Sequence, residues 1–226
     1  MKSKKCDLVI VAHPDDETLF FGGLIQQSKR NPWEVICVTD GNADGFGDKR
    51  KRQFQRACRA LGVRKNHWLG FPDIYEDRLN LSDLCLKLKS FKNVSRIFTH
   101  NILGEYGHPH HQDVSAAVHM AFAKTHQVFS TAYNAYPDRI IRLKPREYQV
   151  KTEILTRIYS SETRRFTHLL PATWAEGFVR VSIKEVEMLY DFMVTGKVPS
   201  QRHLKVFRWY RPYLIDGDLR MAPRPF

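Results

Sequence analysis

Two rhythms of apolar and polar residues take turns along this chain. Strand-like runs occupy Leu8 to Ala12, Glu34 to Thr39, His67 to Leu69 and Arg96 to His100. Between and after them, Glu17 to Lys29, Lys49 to Leu61, Ser82 to Phe91 and Gln112 to Ala123 carry apolar positions at a period near 3.6, and Gly, Pro or Asn breakers flank the last three. Strand alternating with helix predicts an α/β protein: a mostly parallel sheet with right-handed crossovers and helices on both faces. Val128 to Tyr136 reads as a further strand and Glu147 to Ser160 as a further helix. After about Val181 the pattern thins to one helix, Ile183 to Thr195, and a basic tail. No repeat, low-complexity tract or linker divides the 226 residues, so one domain over 1–226 is expected, with its core at about 6–180.

Composition narrows the partners. Thirty-six Lys and Arg against 24 Asp and Glu leave a net charge of +12, which favours phosphorylated sugars, nucleic acid or an acidic membrane face. Cys6, Cys37, Cys58 and Cys85 stand singly inside apolar or helical patterns, as reduced core thiols of a cytoplasmic protein would. Lys2, Lys4 and Lys5 before an apolar run imitate a secretory leader. The run is too short, however, and ends in His13 and carboxylates, so a first strand is the better reading. No stretch reaches the roughly 18 apolar residues of a membrane span. The expectation is a soluble or peripheral protein. No phosphate-cradling P-loop follows any strand, and Gly22-Gly23 lies too far past the first one for a dinucleotide fingerprint.

Candidate chemistry gathers at two places. His13-Pro14-Asp15-Asp16-Glu17 emerges from the first strand, at the carboxyl edge where open α/β sheets bind ligands. Adjacent side chains in a turn diverge, so one aspartate can grip a cation while the other faces substrate. With His13 and Asp16 as ligands, Asp15 is free to take a proton from a water that the ion has acidified. Without further company, Asp15 and Asp16 would only cap the following helix. The company is Gly104-Glu105-Tyr106-Gly107-His108-Pro109-His110-His111, a restrained turn dense in imidazoles. His108 and His111, three apart at a helix start, converge on one side. One of them would complete a two-His, one-carboxylate set with an open position, the pattern of catalytic zinc; the other, with the Tyr106 hydroxyl, would face a developing oxyanion.

Ala12-His13-Pro14-Asp15-Asp16-Glu17 resembles the signature of the LmbE-like, or PIG-L, zinc-dependent N-deacetylases, and Tyr106-Gly107-His108-Pro109-His110-His111 resembles their second block, usually Tyr-Gly-His-Pro-Asp-His. The resemblance implies a Rossmann-like, LmbE-like fold. It also implies that His13, Asp16 and His111 bind zinc, that Asp15 is the general base, and that His108 and Tyr106 stabilise the tetrahedral intermediate. His110 departs from the family's common Asp. Thr39-Asp40-Gly41, the helix containing Arg50 and Leu69-Gly70-Phe71-Pro72-Asp73 are similar to further family blocks, with Gln53 where Glu is usual. Arg50 and Asp73 are thereby candidate substrate contacts. Taken alone, they are a solvated charge and a turn residue.

The expected activity is hydrolysis of the N-acetyl group of an N-acetylglucosamine-type conjugate, on Zn²⁺ or another divalent transition metal. A metal-dependent amidase for a bulkier acyl group would use the same residues and differ in pocket shape. Binding of single-stranded nucleic acid is disfavoured, because the positive charge is spread along the chain and forms no recognised motif. Between Thr195 and Tyr213, Lys197, Arg202, Lys205, Arg208 and Arg211 interleave with Phe207, Trp209, Tyr210 and Tyr213. That segment reads as an amphipathic closing stretch, or as a surface for an anionic glycan carrier or the inner face of an anionic membrane.

Overall fold

The computed structural model describes residues 5–28, 30–75, 77–133, 135–166, 172–197 and 200. The aromatic and basic residues singled out between Arg202 and Tyr213 lie outside these. Seven strands form one sheet: β1 (Cys6–Val11), β2 (Trp33–Thr39), β3 (Lys65–Phe71), β4 (Val94–Thr99), β5 (Gln127–Thr131), β6 (Arg139–Arg142) and β7 (Ala175–Val179). Their order across the sheet is β3-β2-β1-β4-β5-β7-β6. The first five are mutually parallel, and β7 runs antiparallel to both β5 and β6. This is the mostly parallel α/β sheet that the alternating pattern predicts, with an antiparallel edge added.

Burial explains the central strands. Every residue of β1 is buried, as a strand covered on both faces requires. One face packs Val9, Val11, Val35 and Phe98 against α1 (Asp16–Gln27) and α2 (Gly47–Leu61) through Phe21, Leu24, Phe54 and Leu61. The other packs Leu8, Ile10, Ile36 and Ile97 against α3 (Leu81–Lys89) and α4 (Pro109–Phe122) through Leu84, Leu88, Val114 and Val118. All four cysteines are buried and free.

Several boundaries differ from the periodic reading, each for a local reason. The expected strand Val128 to Tyr136 stops at Thr131, whose carbonyl accepts from the Asn101 side chain (2.8 Å) in place of a strand neighbour. The expected helix Glu147 to Ser160 is three pieces: α5 (Pro145–Glu153), a π-helical turn (Ile154–Ile158) closed by Tyr159 N–H on the Ile154 carbonyl (3.1 Å), and α6 (Ser160–Phe166). A wide turn of this kind leaves no mark on a 3.6 period. Strands β6 and β7 escape that reading altogether, being four and five residues long with charged or glycine interruptions. Helix α4 begins at Pro109, earlier than Gln112, because His108 caps it and Pro109 suits the first turn. Helix α7 (Ile183–Thr195) starts on a Ser182–Glu185 capping box and ends at Gly196 in the left-handed conformation.

The double glycine of α1 also has a packing reason. A Cβ on Gly23 would lie 2.6 Å from Leu143 Cδ1 and 3.1 Å from a carboxylate oxygen of Glu176. That carboxylate accepts from the Gly23 and Leu24 amides at 2.7 and 2.8 Å and from Lys151 Nζ at 2.8 Å, so two amide bonds tie strand β7 to α1 and a buried ion pair ties it to α5. Strand order reverses at β1, whose neighbours β2 and β4 lead in opposite directions along the sheet. The crevice outside the carboxyl ends of β1 and β4 is therefore the topological switch point where such sheets bind ligands.

Candidate metal centre

His13 follows β1 and His111 sits in the first turn of α4, yet their rings meet at the switch point. His13 Nδ1 lies 3.3 Å from His111 Nε2 and 3.5 Å from Asp16 Oδ2, and the last two atoms are 3.4 Å apart. All three residues are buried. Ligands at about 2.0–2.2 Å on a tetrahedral cation stand about 3.3–3.6 Å from one another, so this triangle fits one face of such a site. The sets His13, His108, His110 and His100, Glu105, His111 also offer donor atoms within 4.8 Å of each other.

Ligand tautomers follow from the groups behind the rings. His111 Nδ1 contacts Glu105 Oε2 at 2.7 Å and therefore carries the proton, leaving its Nε2 lone pair inside the triangle. His13 Nε2 faces Asp73 Oδ1 at 3.5 Å and His110 Nδ1 at 3.1 Å, leaving Nδ1 inward. Glu105 is buried and also meets His100 Nδ1 (3.1 Å), the Asn101 amide (2.9 Å) and the Thr131 hydroxyl. Against burial, which raises its pKa, the His100 and His111 rings hold its carboxyl well below the usual range.

Asp15 occupies a strained position, with φ 108° where a non-glycine residue rarely sits. Five contacts impose it. Its amide donates to Glu17 Oε2 (3.1 Å), and its carbonyl accepts from Thr18 and Leu19 (2.9 Å each) at the start of α1. Arg50 Nη2 reaches the Pro14 carbonyl at 2.9 Å and Asp15 Oδ2 at 3.5 Å. The Asp15 side chain makes no capping bond, so the backbone begins the helix and the carboxylate is left for other work. Burial, then the charge of Asp16, pushes Asp15 well above the ordinary carboxylate range, with Arg50 pulling the other way. Asp16 is held well below it by His111 and His100, against burial. Two adjacent aspartates thus have opposite proton affinities.

Behind Asp15, the π-helical turn delivers Tyr159, fully buried, whose hydroxyl donates to Glu17 Oε1 at 2.9 Å. Burial raises Glu17 to about 7 against the bonds from Thr18, Tyr159 and the Asp15 amide. Gln53, the departure from the family's Glu, donates to the Ile158 carbonyl of the same turn at 2.6 Å, which a carboxylate could not do. Arg50 is buried and divided among Asp15, Asp73 Oδ2 (3.7 Å), Glu162 Oε2 (3.7 Å) and the Pro14 carbonyl. Asp73 reaches the centre from the end of β3, its amide bonded to Asp40 at 3.0 Å.

His108 caps α4, with Nδ1 accepting from the His110 amide at 3.2 Å. A neutral ring that accepts at Nδ1 carries its proton on Nε2, so His108 is a donor toward the crevice. Burial, reinforced by the neighbouring histidines, pushes it down to about 2. The Tyr106 ring stands 64% exposed at the rim, 5.4 Å from the His111 ring.

All eight residues singled out from sequence, His13, Asp15, Asp16, Arg50, Asp73, Tyr106, His108 and His111, gather around this centre. Glu17, His100, Glu105, Tyr159 and Glu162 were not singled out. His100 had a signal, because it ends β4 as His13 follows β1. Glu105 lay inside the glycine-restrained block. Tyr159 and Glu162 had none, since their place depends on the π-helical turn.

The family profile described as GlcNAc-PI de-N-acetylase (PIG-L) matches residues 8–122, just over half of the chain. The chain belongs to the PIG-L family. It is 27% identical over 208 residues to the N-acetylglucosaminyl-phosphatidylinositol de-N-acetylase of Saccharomyces cerevisiae, an alignment covering 80% of this chain and 68% of that protein. An uncharacterised protein of Acanthamoeba polyphaga mimivirus is 32% identical over 124 residues, covering 48% of this chain and 54% of its own. The chain spans about half the length of several curated relatives it matches. Among solved structures, the N,N'-diacetylchitobiose deacetylase of Pyrococcus horikoshii superposes with a TM-score of 0.59 at 18% identity, covering 81% of this chain and 86% of that one, a likeness of fold.

Proposed function

We propose that this PIG-L protein is a metal-dependent hydrolase that removes the acetyl group from an N-acetylglucosamine conjugate, releasing acetate and a free amine. One observation carries the reading. A three-donor triangle of metal-ligand dimensions lies beside a strained, half-buried aspartate whose carboxylate is not spent on capping the helix that it begins.

In this reading His13, Asp16 and His111 hold the ion, and the imidazole and carboxylate donor set suits Zn²⁺. When bound, the ion acidifies water and polarises the amide carbonyl. Asp15 takes the proton of the attacking water and returns it to the departing nitrogen, its raised proton affinity suiting both steps. His108 Nε2–H, fixed by the bond at Nδ1, and the Tyr106 hydroxyl at the rim supply hydrogen bonds to the oxygen as charge develops on it. Asp73 and Arg50, already engaged with each other, present polar edges to the sugar hydroxyls.

The carrier is anionic. A cleft of 470 Å³ opens beside the start of α2, where Lys49, Lys51 and Arg52 outnumber Asp40 and Asp48 and Trp68 forms part of the wall. It adjoins the centre through Asp40, which holds the Asp73 amide. Next to Asp73, Ile74 and Tyr75 are 51% and 74% exposed, which suits a lipid-linked substrate met at the cytoplasmic face of a membrane. Among the described residues no helix is long and apolar enough to cross one.

The test is acetate release by zinc-loaded protein from N-acetylglucosamine linked to phosphatidylinositol, inositol or malate, and from diacetylchitobiose. Release is expected with the phosphatidylinositol conjugate foremost. Release confined to the uncharged sugars would remove the anionic carrier, and no release from any of the four would remove the deacetylase reading.

A further inference from the structure

The second nitrogen of His13 has a donor set of its own. His13 Nε2, His110 Nδ1 and Asp73 Oδ1 stand 3.1, 3.5 and 3.3 Å from one another. Those separations nearly repeat the 3.3, 3.5 and 3.4 Å of the triangle on Nδ1. They too approximate the spacing of ligands on one face of a tetrahedral cation. His108 belongs to the same cluster, with a ring nitrogen within 4.8 Å of those of His13 and His110. His13, His110 and Asp73 are nearly buried, so the set is built by the fold and is not a chance meeting of surface side chains. The decisive member is His110, whose Nδ1 meets both His13 Nε2 and Asp73 Oδ1.

Hydrogen bonding alone accounts poorly for this triangle. If His13 and His110 both donate to Asp73 Oδ1, two N–H groups converge with their nitrogens 3.1 Å apart. If one ring turns its lone pair inward, one of the long contacts to Asp73 loses its proton. The surroundings are also rich in acid: Asp15, Asp16, Asp73, Glu105 and Glu162 each touch Arg50 or a histidine of the cluster, so a further cation meets favourable charge there.

We propose that this chain binds a second divalent transition-metal ion on His13 Nε2, His110 Nδ1 and Asp73 Oδ1, so that the imidazole of His13 bridges two ions. The inference rests on the assignment of His13 to the first site. Binding at the second site releases the Nε2 proton of His13 to solvent, leaving a bridging imidazolate. It also takes Asp73 from the substrate and brings a cation beside His108, so filling the second site stops turnover.

The experiment titrates metal-free protein with zinc, reading bound metal after gel filtration, and with cobalt, reading the visible spectrum. Wild type is expected to bind two ions, the second more weakly, and the second cobalt is expected to alter the spectrum of the first through the shared ring. His110→Ala and, as an independent variant, Asp73→Asn should each bind one ion and weaken the second at least 100-fold. Zinc in excess should inhibit the wild type with the concentration dependence of the second binding step. Saturation of the wild type at one equivalent overturns the proposal, as does a second ion retained by both variants. One ion with acetate release intact would leave the deacetylase reading standing, whereas no bound ion at all would remove both.

Discussion

Replacing Glu105 by Gln changes one oxygen to an NH₂ group and little else in shape, yet its surroundings allow the amide no good orientation. One carboxylate oxygen faces His111 Nδ1 at 2.7 Å and His100 Nδ1 at 3.1 Å; the other faces the Asn101 amide at 2.9 Å and the Thr131 hydroxyl. With the NH₂ toward the histidines, His111 must accept at Nδ1 and move its proton to Nε2, the atom inside the metal triangle. With the NH₂ toward Asn101, two donors collide and a buried amide loses its acceptor, at about 1–3 kcal/mol. The first choice weakens metal binding, and loss of such an orienting partner typically costs about 10–100-fold in affinity, or roughly 1.4–2.7 kcal/mol. Competition for zinc against a chelator of known affinity reads this directly, with a thermal melt to read the second choice. Unchanged affinity together with an unchanged melting temperature would refute the assignment of the His111 tautomer.

Other outcomes follow from the same geometry. Gly104→Ala places a Cβ 2.6 Å from the His108 carbonyl oxygen at φ 72°, so it should lower stability by about 1–3 kcal/mol in a denaturant titration and cut metal affinity by displacing α4. Glu17→Leu removes the acceptor that holds the Asp15 amide; kcat should fall at least tenfold with metal content unchanged, and Tyr159→Phe should fall less because Glu17 keeps its other bonds. His119, buried in α4 with Nδ1 donating to the Ser115 carbonyl, is pushed down by burial to about 4. Because its folded pKa lies below the unfolded 6.5, the unfolded chain binds the extra proton in between. Stability is therefore full above about pH 6.5 and is lost as the pH falls toward 4, by at most about 3 kcal/mol. His119→Leu should flatten that part of the urea-midpoint profile, and an unaltered profile would contradict the assignment.

Much of this arrangement was legible in the sequence because strands covered on both faces are written as continuous apolar runs. The end of β1 and the block before α4 then announce themselves as polar residues where apolar ones stop. His13, Asp16 and His111 could be paired across 98 positions only because the two blocks resemble one family's; spacing alone left open which imidazole binds. What stayed hidden depends on tertiary placement. Glu105 looks like any loop acid until it is seen behind His111. Tyr159 becomes part of the site through a π-helical turn that no periodicity marks. Arg50, expected to touch substrate, is also drawn into holding the Pro14 carbonyl and Asp15. Strands β6 and β7 are too short and too charged to register as a pattern, and their pairing is fixed by contacts with β5 and α1.

The most direct test compares wild type with Asp15→Asn, both carrying one equivalent of zinc, for acetate released from N-acetylglucosaminyl-phosphatidylinositol. A base that touches the attacking water but not the ion should leave metal content unchanged while turnover falls by about 10²–10⁴-fold. Equal rates for the two proteins would contradict the role of Asp15, and loss of zinc from the variant would exchange the roles of the two neighbouring aspartates.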